Sequence, residues 1–147
     1  MNSFVTHYFI KSELAGKLAQ AAIEHARSTN IEICATVCDP AGHPVALLRT
    51  DRVRPPAIGF AIDKAYTAAT LHTSTQAFHE RAASRPALAM GLANRERILV
   101  FPGGLPIYGD GQLIGGIGVS GATETEDVEC ARAALAALGL AESPQGT

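Results

Sequence analysis

The chain has 147 residues, 47% of them hydrophobic, no tryptophan and a formal net charge of −2. This length suits one domain with a real core, no apolar run approaches the ~20 residues of a membrane span, and no basic patch interleaved with aromatics marks a nucleic-acid surface. Aromatics make up only 5%, so the core must rest on Ala, Leu, Ile and Val.

The opening MNSFVTHYFIKSEL lacks a charged start, a long apolar region and a cleavage site, so no signal peptide is expected and the expected compartment is the cytoplasm. Ser12 is placed to cap a first helix over about residues 13–28, with Leu14, Leu18, Ala22 and Ile23 on its apolar side. Residues 33–38 and 45–49 read as strands joined by the turn Asp39-Pro40-Ala41-Gly42. Pro55-Pro56 lead into a second helix over about residues 57–71, with Ile58, Ile62, Ala65 and Ala69 in register. Shorter helical pieces follow near 76–82 and 87–92, and residues 98–101 read as a further strand.

Gly109-Asp110-Gly111 separates the apolar runs 105–108 and 113–119, which predicts an antiparallel hairpin. Thr123 and Glu126 have the spacing of a capping box, and Val128, Ala131, Leu135 and Leu138 recur at helical spacing after it. The element order predicts an α+β protein: a five-stranded antiparallel sheet flanked by helices in three α/β/α layers. The whole chain, 1–147, reads as a single domain with its core at about 12–140 and a flexible tail at 141–147.

Gly116, Gly118 and Gly121 match G-x-G-x-x-G between a strand and a helix. A dinucleotide site also needs a second strand with an acidic residue about 20 positions on, and the residues after the last helix are not strand-like. Gly116 and Gly118 alternate with Ile117 and Val119, so the glycines face one side and the branched residues the other. The branched side is expected to pack on a helix; the glycine side is expected to admit another helix, a neighbouring subunit or a flat ligand.

Of the three cysteines, Cys34 and Cys38 lie on one strand, with Cα atoms ~13 Å apart, beyond the ~7 Å limit of a disulfide. No C-x-x-C or H-x-x-x-H spacing occurs, so a zinc site is not expected, and Cys34, Cys38 and Cys130 read as small buried side chains.

Three segments carry a resemblance: CDPAGHPVALLRTD at 38–51, AIDKAYTAATL at 61–71, and GGLPI at 103–107 with GQLIGGIGVSGATETEDVECARAAL at 111–135. They resemble the GlcG/HbpS family, a haem-degrading or haem-binding domain that also forms the C-terminal domain of PduO-type proteins. That family reads V-D-x-x-G-x-x-V-x-x-x-R-M-D, then I-x-x-x-K-A-x-T-A, then GGLPI and IGxxGVSG. The resemblance implies a profilin-like fold, homo-oligomeric assembly and a small ligand, haem or a related tetrapyrrole. The chain departs from the pattern at Thr50–Pro56, which adds Arg52 and Arg54, and at His72 and His79.

His25 lies seven, four and three residues after Leu18, Ala21 and Ala22, beside the first helix's apolar stripe. The resemblance implies that some members hold haem through a histidine on this helix, which makes His25 the candidate iron ligand. Its bland reading is a partly buried surface histidine. Without C-x-x-C-H, covalent haem attachment is excluded. Arg49, Asp51 and Lys64 form a second constellation. They are either an arginine–aspartate pair beside a solvated lysine, or an anion site in which Arg49 is the bidentate donor and the Gly103 and Gly104 amides add donors. Gly118 completes the candidate ligand-binding set. The alternative function is an enzyme or accessory factor acting on a small organic acid, which the charged 49–54 turn favours.

Overall fold

A computed structural model describes residues 2–145. Five helices and four strands run in the order α1 (Ser12–Ser28), β1 (Cys34–Cys38), β2 (Pro44–Arg49), α2 (Pro56–Leu71), α3 (Thr75–Ala83), α4 (Pro86–Leu92), β3 (Gly104–Gly109), β4 (Gln112–Ser120) and α5 (Glu124–Ala137). The strands form one antiparallel sheet, ordered β2-β1-β4-β3.

The hairpin expected at Gly109-Asp110-Gly111 joins β3 to β4, with Gly109 opposite Gln112. Asp110 and Gly111 both take positive φ, 50° and 77°, as a two-residue type I′ turn demands. The capping box is present: Thr123 Oγ1 accepts from the Glu126 amide at 3.2 Å, and Glu126 Oε1 accepts from the Thr123 amide at 3.1 Å. In the β1–β2 turn, Asp39 Oδ1 accepts from the amides of Ala41 and His43 at 2.9 and 3.1 Å, the local bonding that makes Asp a turn residue.

Two sequence expectations about the elements are corrected. The sheet has four strands, not five, because residues 98–101 are bound to a helix instead of a sheet edge. Thr67 on α2 donates its hydroxyl to the Arg97 carbonyl at 3.0 Å and accepts from the Leu99 amide at 2.9 Å. Ser12 does not cap α1: Lys11 holds the cap position, its carbonyl already accepting from Ala15 at 3.0 Å. The segment expected to be loose from residue 141 is tied at its start. Ala141 exchanges backbone bonds with Tyr108 at 2.8 and 3.0 Å, and Glu142 accepts from Arg132 at 2.9 and 3.0 Å. Residues 146–147 of that segment lie outside the described residues.

The two faces of the sheet differ in kind. Ala35, Val37, Leu105, Ile107, Ile117 and Val119 face α1 and α5 and make one buried cluster with Leu18, Ile23, Ala131 and Leu135. The opposite face is covered by α2. There a Cβ on Gly118 would meet the Ala61 carbonyl and the Ala65 amide, and a Cβ on Gly116 would lie 2.7 Å from the Ala65 carbonyl. Of the three occupants open at the glycine face, a helix fills it. This close approach turns α2 about its axis relative to the expected stripe. Ala57, Ala61, Ala65 and Ala68 are buried, while Ile58 and Ile62 are only half-buried, because no room exists for an isoleucine between helix and glycine. All three cysteines are free and buried, and burial pushes the Cys38 and Cys130 thiols up to about 12, so neither is a thiolate near neutral pH.

Gly118→Val forces a branched side chain into the α2 backbone and is expected to cost about 3 kcal/mol, the upper end of overpacking. Thr123→Ala, which loses only a cap, should cost about 1 kcal/mol. Gly59→Ala, in open space on α2, should stabilise by about 0.5–1 kcal/mol. Urea melts rank the three, and a Gly118→Val protein as stable as wild type contradicts the close approach.

Candidate functional site

Lys64 is the largest fully buried side chain, 2% exposed. It follows Ala61 by three residues and Ala57 by seven, so helical spacing places it on α2's buried alanine side. Its Nζ donates to the Val119 carbonyl at the end of β4, 2.8 Å away, and to Asp127 Oδ2 on α5 at 3.0 Å. Asp127 Oδ1 accepts from the Ala122 amide at 3.0 Å, so both carboxylate oxygens are used. Gly103 makes room, since a Cβ there would stand 2.8 Å from Lys64 Nζ.

Burial dominates the protonation of both partners. It pushes the Asp127 carboxyl up to about 6 against the opposing pull of the Lys64 charge. It also pulls Lys64 below the usual ammonium range, again opposed by its partner. Burial stands first for each because two charges taken from water lose more hydration than a single contact restores.

Lys64 and Asp127 line a cleft of about 420 Å³ together with Arg54, Phe60, Phe101, Ser120 and Glu124. Phe60 and Phe101 meet edge to face, with centroids 5.7 Å apart and planes at 87°. One wall is aromatic, and the charges come from one arginine, one lysine and two acids. A second cleft, about 400 Å³, lies under the N-terminal arm and is lined by His7, Tyr8, Phe9, Pro40, His72 and Leu113, among others. His72 ends α2 in the left-handed conformation, φ 58°.

The residues singled out from sequence are dispersed. His25 is half-buried on α1, on the far side of the sheet from α2, and lines neither cleft. Arg49 is exposed, its guanidinium reaching the Thr50 carbonyl at 3.5 Å. Asp51 is exposed and lines a separate polar depression with Arg27, Glu32 and Arg52. Lys64 is not solvated but buried and paired with Asp127. The Gly104 amide is taken by Thr75 Oγ1 at 2.9 Å, so it is not a free donor, and Gly118 lies under α2. Sequence reasoning missed Asp127, Phe60 and Phe101, while Arg54, noted as an added charge of the 49–54 turn, does line the cleft. The available signal was a lysine among buried alanines, which requires an acid partner. Among the described residues, no group of three His, Cys, Asp or Glu side chains can hold a metal ion, and no helix is long and apolar enough to cross a membrane.

A family described as haem degrading protein HbpS-like matches residues 10–136. The chain is 32% identical to protein GlcG of Escherichia coli K12 over 115 residues, which is 78% of this chain and 84% of GlcG. It resembles the crystal structure of HbpS with TM-score 0.84 and 31% identity, over 93% of this chain and 95% of that one. It also resembles a PduOC–haem complex, with TM-score 0.84 and 25% identity over 92% and 99% of the two chains.

Lys64→Met leaves the Asp127 carboxylate buried without its counter-charge and is expected to cost about 3–5 kcal/mol near pH 7.5, most of it recovered in Lys64→Met/Asp127→Leu. The raised Asp127 pKa fixes the pH dependence. A group held above its ordinary value contributes most when protonated and loses that contribution as pH rises through about 6. The Lys64→Met penalty should therefore be smaller at pH 5 than at pH 7.5. Thermal melts of the three proteins at both pH values measure it, and an equal penalty at the two contradicts the assignment.

Proposed function

Since the chain belongs to the HbpS-like family, we propose that it is a small-ligand-binding protein whose ligand is haem or a related tetrapyrrole, carried on a profilin-like scaffold in the cytoplasm. The observation that carries this reading is the likeness over nearly the full length to a domain solved as a haem complex. The residues present fit such a ligand. Haem needs an apolar slot and a donor for its iron, and the cleft under the N-terminal arm offers Phe9, Leu113 and Pro40 beside two imidazoles, His7 and His72. His25 is the other donor, half-buried on α1. Haem, if bound, would be held through one of these histidine nitrogens and would supply the chemistry of its iron there.

Titration of the purified protein with haem should give a Soret shift that saturates at micromolar haem. The shift should be lost in His25→Ala or in His72→Ala, whichever imidazole holds the iron. Saturation retained in both variants removes these two as ligands, and no shift in wild type removes haem.

Homo-oligomeric assembly belongs to the same proposal, and surface area supports it. The accessible surface is 8298 Å², whereas a folded monomer of 15.3 kDa should expose about 7,100 Å². The difference, about 1,200 Å², exceeds the roughly 800 Å² per partner of a standard interface. The excess is apolar where it is most visible: Phe4, Val5 and Phe9 on the arm are 73%, 80% and 60% exposed, and α4, with Met90, has no buried residue. Light scattering at micromolar concentration should give a mass of at least two chains, and a 15.3 kDa particle contradicts assembly.

A further inference from the structure

The choice of cation at the buried pair is unusual for this chain. Lys11, Lys17 and Lys64 are its three lysines, against nine arginines. Lys11 and Lys17 are exposed at the start of α1, while Lys64 is buried. A buried ion pair favours arginine, which stays charged and binds a carboxylate with two parallel bonds. An amine in that place adds one capability, because it can give up its proton and become a nucleophile.

We propose that Lys64 is a carbonyl-capturing amine, forming an imine in the Phe60–Phe101 cleft with a small carbonyl compound that bears one carboxylate.

Four features carry this. Nζ has two acceptors, Val119 O at 2.8 Å and Asp127 Oδ2 at 3.0 Å, for the three protons of an ammonium, so its third N–H has no acceptor among the described residues. Lys64 and its proton acceptor Asp127 both line the cleft. The edge-to-face Phe60 and Phe101 give an apolar wall, which favours a step that expels water. Arg54 lines the same cleft and supplies the cation for a carboxylate, while Glu124 and Asp127, also lining it, oppose a second negative charge on the ligand.

The chemistry balances without an oxidant. The ammonium passes a proton to Asp127. The neutral amine attacks the carbonyl carbon, a C–N bond forms, and the carbonyl π pair moves to oxygen, which takes the proton back from Asp127. The carbinolamine then expels its hydroxyl, which leaves as water with one of the protons that began on the ammonium. The net change joins R–NH3⁺ and O=C into R–NH⁺=C and water. Burial that disfavours the ammonium, with a carboxyl pushed up to about 6 beside it, suits both proton transfers near neutral pH.

The test uses the full chain with pyruvate and sodium borohydride, whose hydride fixes the imine as a secondary amine. Peptide mapping by mass spectrometry then reads the site. Lys11, Lys17 and the N-terminal amine are internal references in the same molecule. Lys64 should be labelled several-fold in excess over Lys11 and Lys17, because it alone of the three lines the cleft. Adducts on Lys11 and Lys17 with Lys64 unmodified, in protein whose melting transition shows it folded, overturn the proposal. Methyl pyruvate has the same ketone with its carboxylate masked. Pyruvate should label Lys64 more than the ester does, and Arg54→Gln should remove that preference. An equal or greater yield from the ester overturns the carboxylate assignment. Neither readout involves haem, so loss of trapping and loss of haem binding are separate outcomes.

Discussion

The contact on which the rest of the structure depends is the bond from Lys64 to Asp127 and the Val119 carbonyl. The sheet separates two helical layers, and no helix passes from one to the other. The Lys64 side chain does, past Gly103 and the end of β4, to the first turn of α5. One side chain therefore fixes three elements: the axial position of α2, the end of β4 and the entry of α5. Asp127 answers with its second oxygen on Ala122, which sets the loop between β4 and the capping box. A hydrophobic contact in this place would tolerate sliding, whereas hydrogen bonds at 2.8 and 3.0 Å do not.

Around that tie the two faces of the sheet use different packing. The branched face fills space with Val, Ile and Leu against α1 and α5. The α2 face is built from glycine and alanine, so helix and sheet backbones nearly touch. Small residues bury little apolar area each. Their return lies in close, uniform contact at crystal-like density and in bringing a helix near enough for a lysine to reach across the end of the sheet. The same closeness explains why nothing else can occupy that face.

How much of this was legible in the sequence follows the range of the interaction. The Asp110-Gly111 turn, the Thr123–Glu126 cap and the alternation of Gly116 and Gly118 with Ile117 and Val119 are local patterns, and each has the structure its chemistry dictates. Residues 98–101 show the limit. An apolar run reads as a strand, but the hydroxyl that pairs its backbone belongs to Thr67, on a helix. Asp127 was hidden for a similar reason. Beside Glu124, Glu126 and Glu129 it looks like one more acid drawn to a helix N-terminus, and only the fold shows that it alone turns inward. Arg49 and Asp51 illustrate the converse, since nearness in sequence to a recognisable motif put neither at the Lys64 cleft.

The strand order has a kinetic side. β1 pairs with β2 and β3 with β4 across short turns, but the centre of the sheet sets Cys34 opposite Ser120, far apart in the chain. Two hairpins can form locally, while their union closes a loop containing α2, α3 and α4 and so loses chain entropy before any contact compensates it. α2 touches β1, β3 and β4, which makes it the element that can hold the hairpins together during that search. The non-local strand pairing is thus concentrated at the β1–β4 seam, and without it both hairpins carry an unpaired strand edge.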